Sequence, residues 1–179
     1  MRAYACDVRV GPLSRAKEAI REAGVIDQVI PILCDGLSEI QNDVTGVVIA
    51  GMGFDTIQHI LEQDIDKCAH FQQIVVQCNG HVDEFRRWIS DHGFTIDDEK
   101  IVKDSHYYQL ISMHKETSEP LTAQQCLFGI YTQKDPLFKE YWHYIYNKKK
   151  VILSKLSPSH ENYKNIKEIM DMIEKALND

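Results

Sequence analysis

The sequence predicts an α/β fold, a mostly parallel sheet flanked by helices and followed by a C-terminal helical hairpin. Three observations carry that expectation. Short β-branched runs alternate with segments whose apolar residues recur at helical spacing. Glycine or Asp-Gly punctuates the junctions. Beyond residue 119 the alternation stops and two long amphipathic patterns take over. With 179 residues, 44% of them hydrophobic, the chain is long enough for one α/β domain with a sizeable core and a small appendage.

The elements follow in order. Residues 3–8 are a short apolar run, and Gly11-Pro12 then opens a helix with Leu13, Ala16 and Ile20 on one face, closed by Gly24. Residues 29–33 read as the second strand, ending at Asp35-Gly36, and residues 47–50 as the third, before a helix carrying Ile57, Ile60 and Leu61. Residues 74–76 are the fourth strand, leading into a helix over 82–92 with Phe85, Trp88 and Ile89 together. Segments 95–102 and 107–113 are separated by a short loop and should pair antiparallel. Such alternation indicates βαβ units.

Residues 115–124 (KETSEPLTAQ) are polar and read as a linker. Asp135-Pro136 is then an N-cap with proline in the first helical position. Leu137, Tyr141, Ile145, Ile152 and Leu156 recur behind it, and Ser157-Pro158 restarts a helix bearing Tyr163, Ile166, Met170, Ile173 and Leu177. The expected division is an α/β domain over 1–118 and a helical hairpin or coiled-coil domain over 119–179.

Composition narrows the function. No run of about 18 apolar residues exists, so neither a transmembrane helix nor a signal or transit peptide is expected. Cys6, Cys34, Cys68, Cys78 and Cys126 form no CxxC and are accompanied by no HExxH or HxH, so reduced cytosolic thiols are expected and no metal site. The net charge of -7 argues against binding nucleic acid through the whole surface. It is unevenly spread: from Leu121 onward 9 Lys face 7 acidic residues, whereas the first 120 residues hold 11 Lys and Arg against 20 acidic ones. An RNA contact would therefore involve the tail, where Lys148, Lys149 and Lys150 cluster.

In open α/β sheets, ligands bind beyond the carboxyl ends of parallel strands. The residues expected there are Asp7, Asp35 with Gly36, Ala50-Gly51-Met52-Gly53, and Gln77-Cys78-Asn79. An acid can accept from ribose hydroxyls, an Asp-Gly can receive an adenine amino group, and a glycine turn admits a ligand close to the backbone. An Asn amide can both donate to and accept from a base edge. The turn itself is no phosphate loop. It lacks a following Lys-Ser/Thr, Phe54 and Asp55 break GxGxxG, and Asp55 would repel a pyrophosphate.

These segments resemble one family along nearly the whole chain, the bacterial tRNA (adenine-22-N1)-methyltransferases. CDVRVGPLSRAKEAI is similar to that family's second strand with its acid and helix start, CDGL to its GDGL, and VVIAGMG to its IAGMGG. VQCN resembles its LQPN, FRRWISDHGFTIDDEKIV and SHYYQLI resemble its next helix and strands, and Phe128-Gly129 resembles the opening of its helical C-terminal domain. The resemblance implies a Rossmann-like class I methyltransferase sheet using S-adenosyl-L-methionine on tRNA in the cytoplasm. It assigns Asp7 to the cofactor ribose, Asp35 and Gly36 to its adenine, Ala50 to Gly53 to the methionine end and the target base, and Asn79 to positioning that base. Phe54 and Tyr108 are candidates to stack on an extruded base. The resemblance implies no membrane and no metal, and leaves the oligomeric state open.

The family's first strand, with its GSDHAYLP-like glycine motif, has no counterpart, and the sequence starts where the second strand would. Asp7 also stands where glutamate is usual, Phe54 replaces a glycine and Cys78 a proline. A central strand buried on both faces contributes about 10 kcal/mol, comparable to a domain's net stability of about 5–15 kcal/mol. The expectation is that upstream residues are missing; direct pairing of strands two and four, or a partner chain in the gap, are the other possibilities. A noncatalytic tRNA-binding remnant is the second functional reading. A nicotinamide enzyme is disfavoured, and no thiol chemistry is expected.

Overall fold

A computed structural model describes residues 2–130 and 135–178. Strand β1 (Ala3–Asp7), helix α1 (Val10–Glu22) and strand β2 (Val29–Leu33) form a βαβ block in which the two strands pair in parallel, Asp7 opposite Leu33. Next come β3 (Gly46–Met52), α2 (Phe54–Gln63), a 3-10 turn (Lys67–His70), β4 (Gln73–Cys78), α3 (Val82–Asp91), β5 (Thr95–Lys103) and β6 (Tyr107–His114). Their strands make a second sheet in the order β3-β4-β6-β5. β3 and β4 are parallel, whereas β6 runs antiparallel to both β4 and β5. The sequence-based strands are all present: the first is one residue shorter than expected, the second is unchanged, and the other four are extended by one or two residues at one or both ends.

The four parallel strands do not share one sheet. Among the described residues β1 and β3 are unpaired with each other, which sets aside direct pairing of these two strands. Side-chain contacts hold the blocks together instead. A Cβ on Gly36 would stand 3.3 Å from Ile60 Cγ2, and Lys67 Nζ donates to the Leu37 and Ser38 carbonyls at 2.8 and 2.9 Å.

The core lies on one face of the larger sheet. Ile49, Ile74, Val76, Ile111 and Met113 point to that face and meet Ile57 and Leu61 of α2 and Phe85, Trp88 and Ile89 of α3. The opposite face carries Val48, which is 74% exposed. The alternation is that of a sheet buried on one side.

Helix α4 (Ala123–Phe128) follows, starting in the last two residues of the segment expected to be linker. Thr122 and Gln125 form a reciprocal capping box that starts it. Helices α5 (Pro136–Leu153) and α6 (Glu161–Asn178) make the expected hairpin, with Asp135 Oδ1 accepting from the Phe138 amide at 2.7 Å. Its buried stripe is Phe138 and Trp142 against Ile173 and Ala176, one position beyond the Leu137–Tyr141 phase, and Ile152 is exposed. Ser157-Pro158 lies in the turn before α6 rather than starting it. None of the described helices is long and apolar enough to cross a membrane.

Candidate active site

The turn after β3 is held by the main chain and by one glutamine. Gly51 adopts φ 76°, a conformation that glycine tolerates best, and breaks the β3–β4 register between Ala50 and Met52. Its amide donates to Gln77 Oε1 at 2.8 Å, and Gln77 Nε2 donates to Asn79 Oδ1 at 3.1 Å. The Asn79 amide in turn donates to the Met52 carbonyl at 2.9 Å. Gly51, Met52 and Asn79 are thereby brought together at the carboxyl ends of two neighbouring strands. A Cβ at Gly51 or Gly53 would meet nothing within 4 Å, so the backbone there faces open space. Gln77 is expected at this strand end only as part of Gln77-Cys78-Asn79; that it braces the turn from the neighbouring strand is what the structure adds.

Asp7 and Asp35 share the carboxyl end of the β1–β2 pair. Asp7 Oδ1 accepts from the Arg9 amide at 2.8 Å, closing the turn into α1. The Asp35 side chain is exposed, and its carbonyl accepts from Ser38. Gly36 is in the left-handed region at φ 56°, with its Cα face against Ile60. Carboxylate acceptors thus stand at the end of the β1–β2 pair, and unobstructed glycine backbone stands at the end of β3.

Asp55 sits in the first turn of α2, and its negative charge reaches both His81 and the Cys78 thiol. Burial, then Asp55, push the Cys78 thiol up, outweighing its bond to the Gly80 carbonyl, so it stays protonated at neutral pH. His81 is the one non-glycine residue at positive φ (56°) among those described. Its Nδ1 is 2.8 Å from Glu84 Oε1, and this bond raises the imidazole above its ordinary value.

A cavity of about 220 Å³ opens between this strand end and the helical hairpin. Asn79 and His81 line it on one side, Tyr107 on β6, and Tyr141, Trp142 and Lys149 on α5. Of the three lysines, Lys149 alone reaches it; Lys148 lies over the Tyr144 ring, 5.3 Å from its centre. The cavity takes in neither Asp7 nor Asp35. Phe54 packs against Phe85, centroids 6.1 Å apart, which accounts for it as a core side chain. Tyr108 alternates away from the cavity, and its neighbour Tyr107 faces it.

Behind the cavity lies a buried polar relay. Arg86, 1% exposed, donates to Glu99 Oε1 at 2.7 Å, to the Cys126 and Leu127 carbonyls, and to Gln109 Oε1 at 2.8 Å. Gln109 Nε2 donates onward to the Tyr141 hydroxyl at 2.8 Å. The relay connects α3, β5 and β6 to α4 and α5.

A parallel βαβ block, a glycine turn at a strand end and an antiparallel β5–β6 edge define a Rossmann-like fold of the class I methyltransferase type. Solved structures agree. A protein of the NADB-Rossmann superfamily from Streptococcus agalactiae is 28% identical with a TM-score of 0.91, covering 98% of this chain and 80% of that one. TrmK of M. capricolum, in complex with S-adenosyl-homocysteine, is 30% identical with a TM-score of 0.83, covering 99% and 80%. Over residues 1–178 the chain matches the family model of tRNA (adenine(22)-N(1))-methyltransferase, and it belongs to that family. The enzyme of that name from Bacillus subtilis (strain 168) is 30% identical over 111 residues, 61% of this chain. The match spans about half that relative's length, 47%.

Proposed function

We propose that the chain transfers a methyl group from S-adenosyl-L-methionine to N1 of an adenine in tRNA, adenine-22 by family membership. The observation that supports this best is the glycine turn bonded to Asn79 at the strand ends, beside a block ending in Asp7 and Asp35. When bound, S-adenosyl-L-methionine would supply an electrophilic methyl group for adenine N1, its sulfur keeping the electron pair of the broken bond. Asp7 accepts from the ribose hydroxyls with the carboxylate oxygen not committed to the Arg9 amide. Asp35 accepts from the cofactor's adenine amino group, and Gly36 beside that ring supplies the left-handed turn that packs against Ile60. Ala50, Gly51, Met52 and Gly53 line the methionine end and the target base.

Neutral adenine already carries a lone pair on N1, so no base has to create the nucleophile. The chain's contribution is orientation. Asn79 holds the base edge, its Oδ1 accepting from Gln77 and its main-chain N–H bonded to Met52, with the side-chain Nδ2 protons left to donate. The methylated ring is cationic, and the Asp55 carboxylate at the start of α2 opposes that charge as it develops. Lys148, Lys149 and Lys150 supply phosphate contacts to tRNA, and the chain works in the cytoplasm.

Calorimetric titration of the full 179-residue chain with S-adenosylhomocysteine tests the cofactor half. Micromolar binding is expected, weakened about tenfold by Asp35→Ala, the loss of one hydrogen bond to a charged group. Methyl transfer to tRNA should then fall roughly tenfold in Asp55→Asn, with cofactor affinity unchanged. A folded chain that retains tRNA but binds no cofactor would favour the noncatalytic RNA-binding reading instead.

A further inference from the structure

Asp35 carries the proposed contact to the cofactor's adenine. Its side chain is exposed, so the turn beneath it decides where the carboxylate points. That turn runs from Asp35 to Ser38 and is closed by the Ser38 amide, which donates to the Asp35 carbonyl at 3.2 Å. Gly36 makes its left-handed corner, and Leu37, 4% exposed, anchors it in the core of the larger sheet. Apolar burial is non-directional: it sets the depth of the turn but leaves its rotation free. Strand pairing does not fix that rotation either, because among the described residues β2 is bonded to β1 alone.

Two directional bonds do fix it, and one side chain makes both. Lys67, at the start of the 3-10 turn before β4, donates through Nζ to the Leu37 carbonyl at 2.8 Å and to the Ser38 carbonyl at 2.9 Å. The ammonium is itself held by Asp64, the residue that ends α2, whose Oδ1 lies 3.6 Å away. Both side chains are mostly buried, 25% and 18% exposed, so solvent screens this pair less than a surface one. The Asp64 carbonyl accepts from the Lys67 and Cys68 amides at 3.0 and 3.2 Å, which fixes the pair's main chain. Asp64 Oδ2 is buried with no hydrogen bond among the described residues. A carboxylate so placed needs a cation beside it, and that need keeps Lys67 over the two carbonyls.

We infer that Lys67 is a positioning residue for the cofactor: it fixes the rotation of the Asp35–Ser38 turn and so aims the Asp35 carboxylate at the adenine amino group, with Asp64 holding the ammonium in place. The inference rests on the cofactor half of the methyl-transfer reading.

A double-mutant cycle of Lys67→Met and Asp35→Ala, read by calorimetric titration of the full chain with S-adenosylhomocysteine, tests it. Methionine keeps most of the apolar stem and removes the donors and the charge. Lys67→Met should weaken binding roughly three- to tenfold, the cost of ordering the turn only when the ligand arrives. In the Asp35→Ala background the same change should cost less than about twofold, because the carboxylate it aims is gone. Affinity for tRNA should stay at the parental value, since the lysines assigned to tRNA lie on α5. Thermal unfolding of each variant establishes that a folded chain is being titrated. Lys67→Met leaves the Asp64 carboxylate without its cation; if that variant does not fold, Lys67→Met/Asp64→Asn, which removes both charges, takes its place in the cycle.

A folded Lys67 variant with parental affinity for S-adenosylhomocysteine overturns the positioning role and leaves the methyl-transfer reading standing. An equal loss with and without Asp35, or a matching loss of tRNA affinity, also overturns it, because Lys67 then acts through the fold at large. A parent chain that binds no S-adenosylhomocysteine overturns the cofactor reading and the positioning role with it.

Discussion

At the residue scale, Arg86 is the side chain whose surroundings are most demanding. Its guanidinium and the Glu99 carboxylate are both buried, and every polar hydrogen bond of the pair is made inside the protein. A buried pair need not stabilise relative to a well-packed apolar pair, but removing one partner strands the other charge. Arg86→Ala should therefore cost about 3–5 kcal/mol, read by urea unfolding, and it also releases the α4 carbonyls. The sequence showed FRRWISD as an amphipathic helix with Phe85, Trp88 and Ile89 inward, but gave no reason to bury one arginine of the two. Arg86 lies next to Phe85 on the inward arc, and only the distant Glu99, Gln109 and Leu127 make that position tolerable. The carboxylates at the strand ends, Asp7 and Asp35, stand out in the sequence because an acid closing a strand is a local pattern.

At the scale of elements, β-branched runs with glycine punctuation were sufficient for every strand, because a strand's pattern is short-range. Helix phase was less legible. Leu137/Tyr141 and Phe138/Trp142 both have i, i+4 spacing, and the choice is made by Phe128, Ile173 and Ala176 packing from elsewhere. Helix α4 was obscured by the polar residues before it, although Thr122-x-x-Gln125 is a legible helix start. The β5–β6 pairing has its own test. His114 at the end of β6 holds Glu116 through Nε2 at 3.0 Å and Asp97 of β5 through Nδ1 at 2.8 Å. The Glu116 bond, then Asp97, raise the imidazole above its ordinary 6.5. A histidine whose folded value is raised contributes stability in full below the unfolded value and loses it as pH rises through the folded one. The melting temperature of His114→Gln should lie furthest below that of the parent chain under pH 6.5 and converge with it at alkaline pH, by thermal unfolding across pH 5.5–9.

For the whole molecule, the division of the parallel strands into two sheets is what local patterns did not convey. Each strand's sequence fits a continuous sheet equally well, and continuity is a property of pairing across it. The two-stranded β1–β2 block has little buried surface, whereas β4 lies between two strands with Ile74 and Val76 fully enclosed. Two-stranded sheets are marginal by themselves. Native-state hydrogen exchange should accordingly show β1 and β2 amides opening at lower free energy than those of β4 and β6. Equal protection across both blocks would mean that they unfold as one unit and that the α2 contacts at Gly36 and Lys67 suffice to couple them.

The bond from the Asn79 amide to the Met52 carbonyl also bears on how this site can change. It joins main chain to main chain, so the link between the glycine turn and Asn79 does not pass through the side chains at 52, 54 and 78. Cys78 is buried in the core and Met52 and Phe54 pack against it, so changes at these positions are felt as packing beneath the turn while the main-chain bond itself remains. The constraint falls on Gly51, which supplies the left-handed backbone, and on Gln77, whose amide is bonded at both ends. Volume-conserving substitutions at 52, 54 and 78, with those two residues fixed, should leave the turn in place.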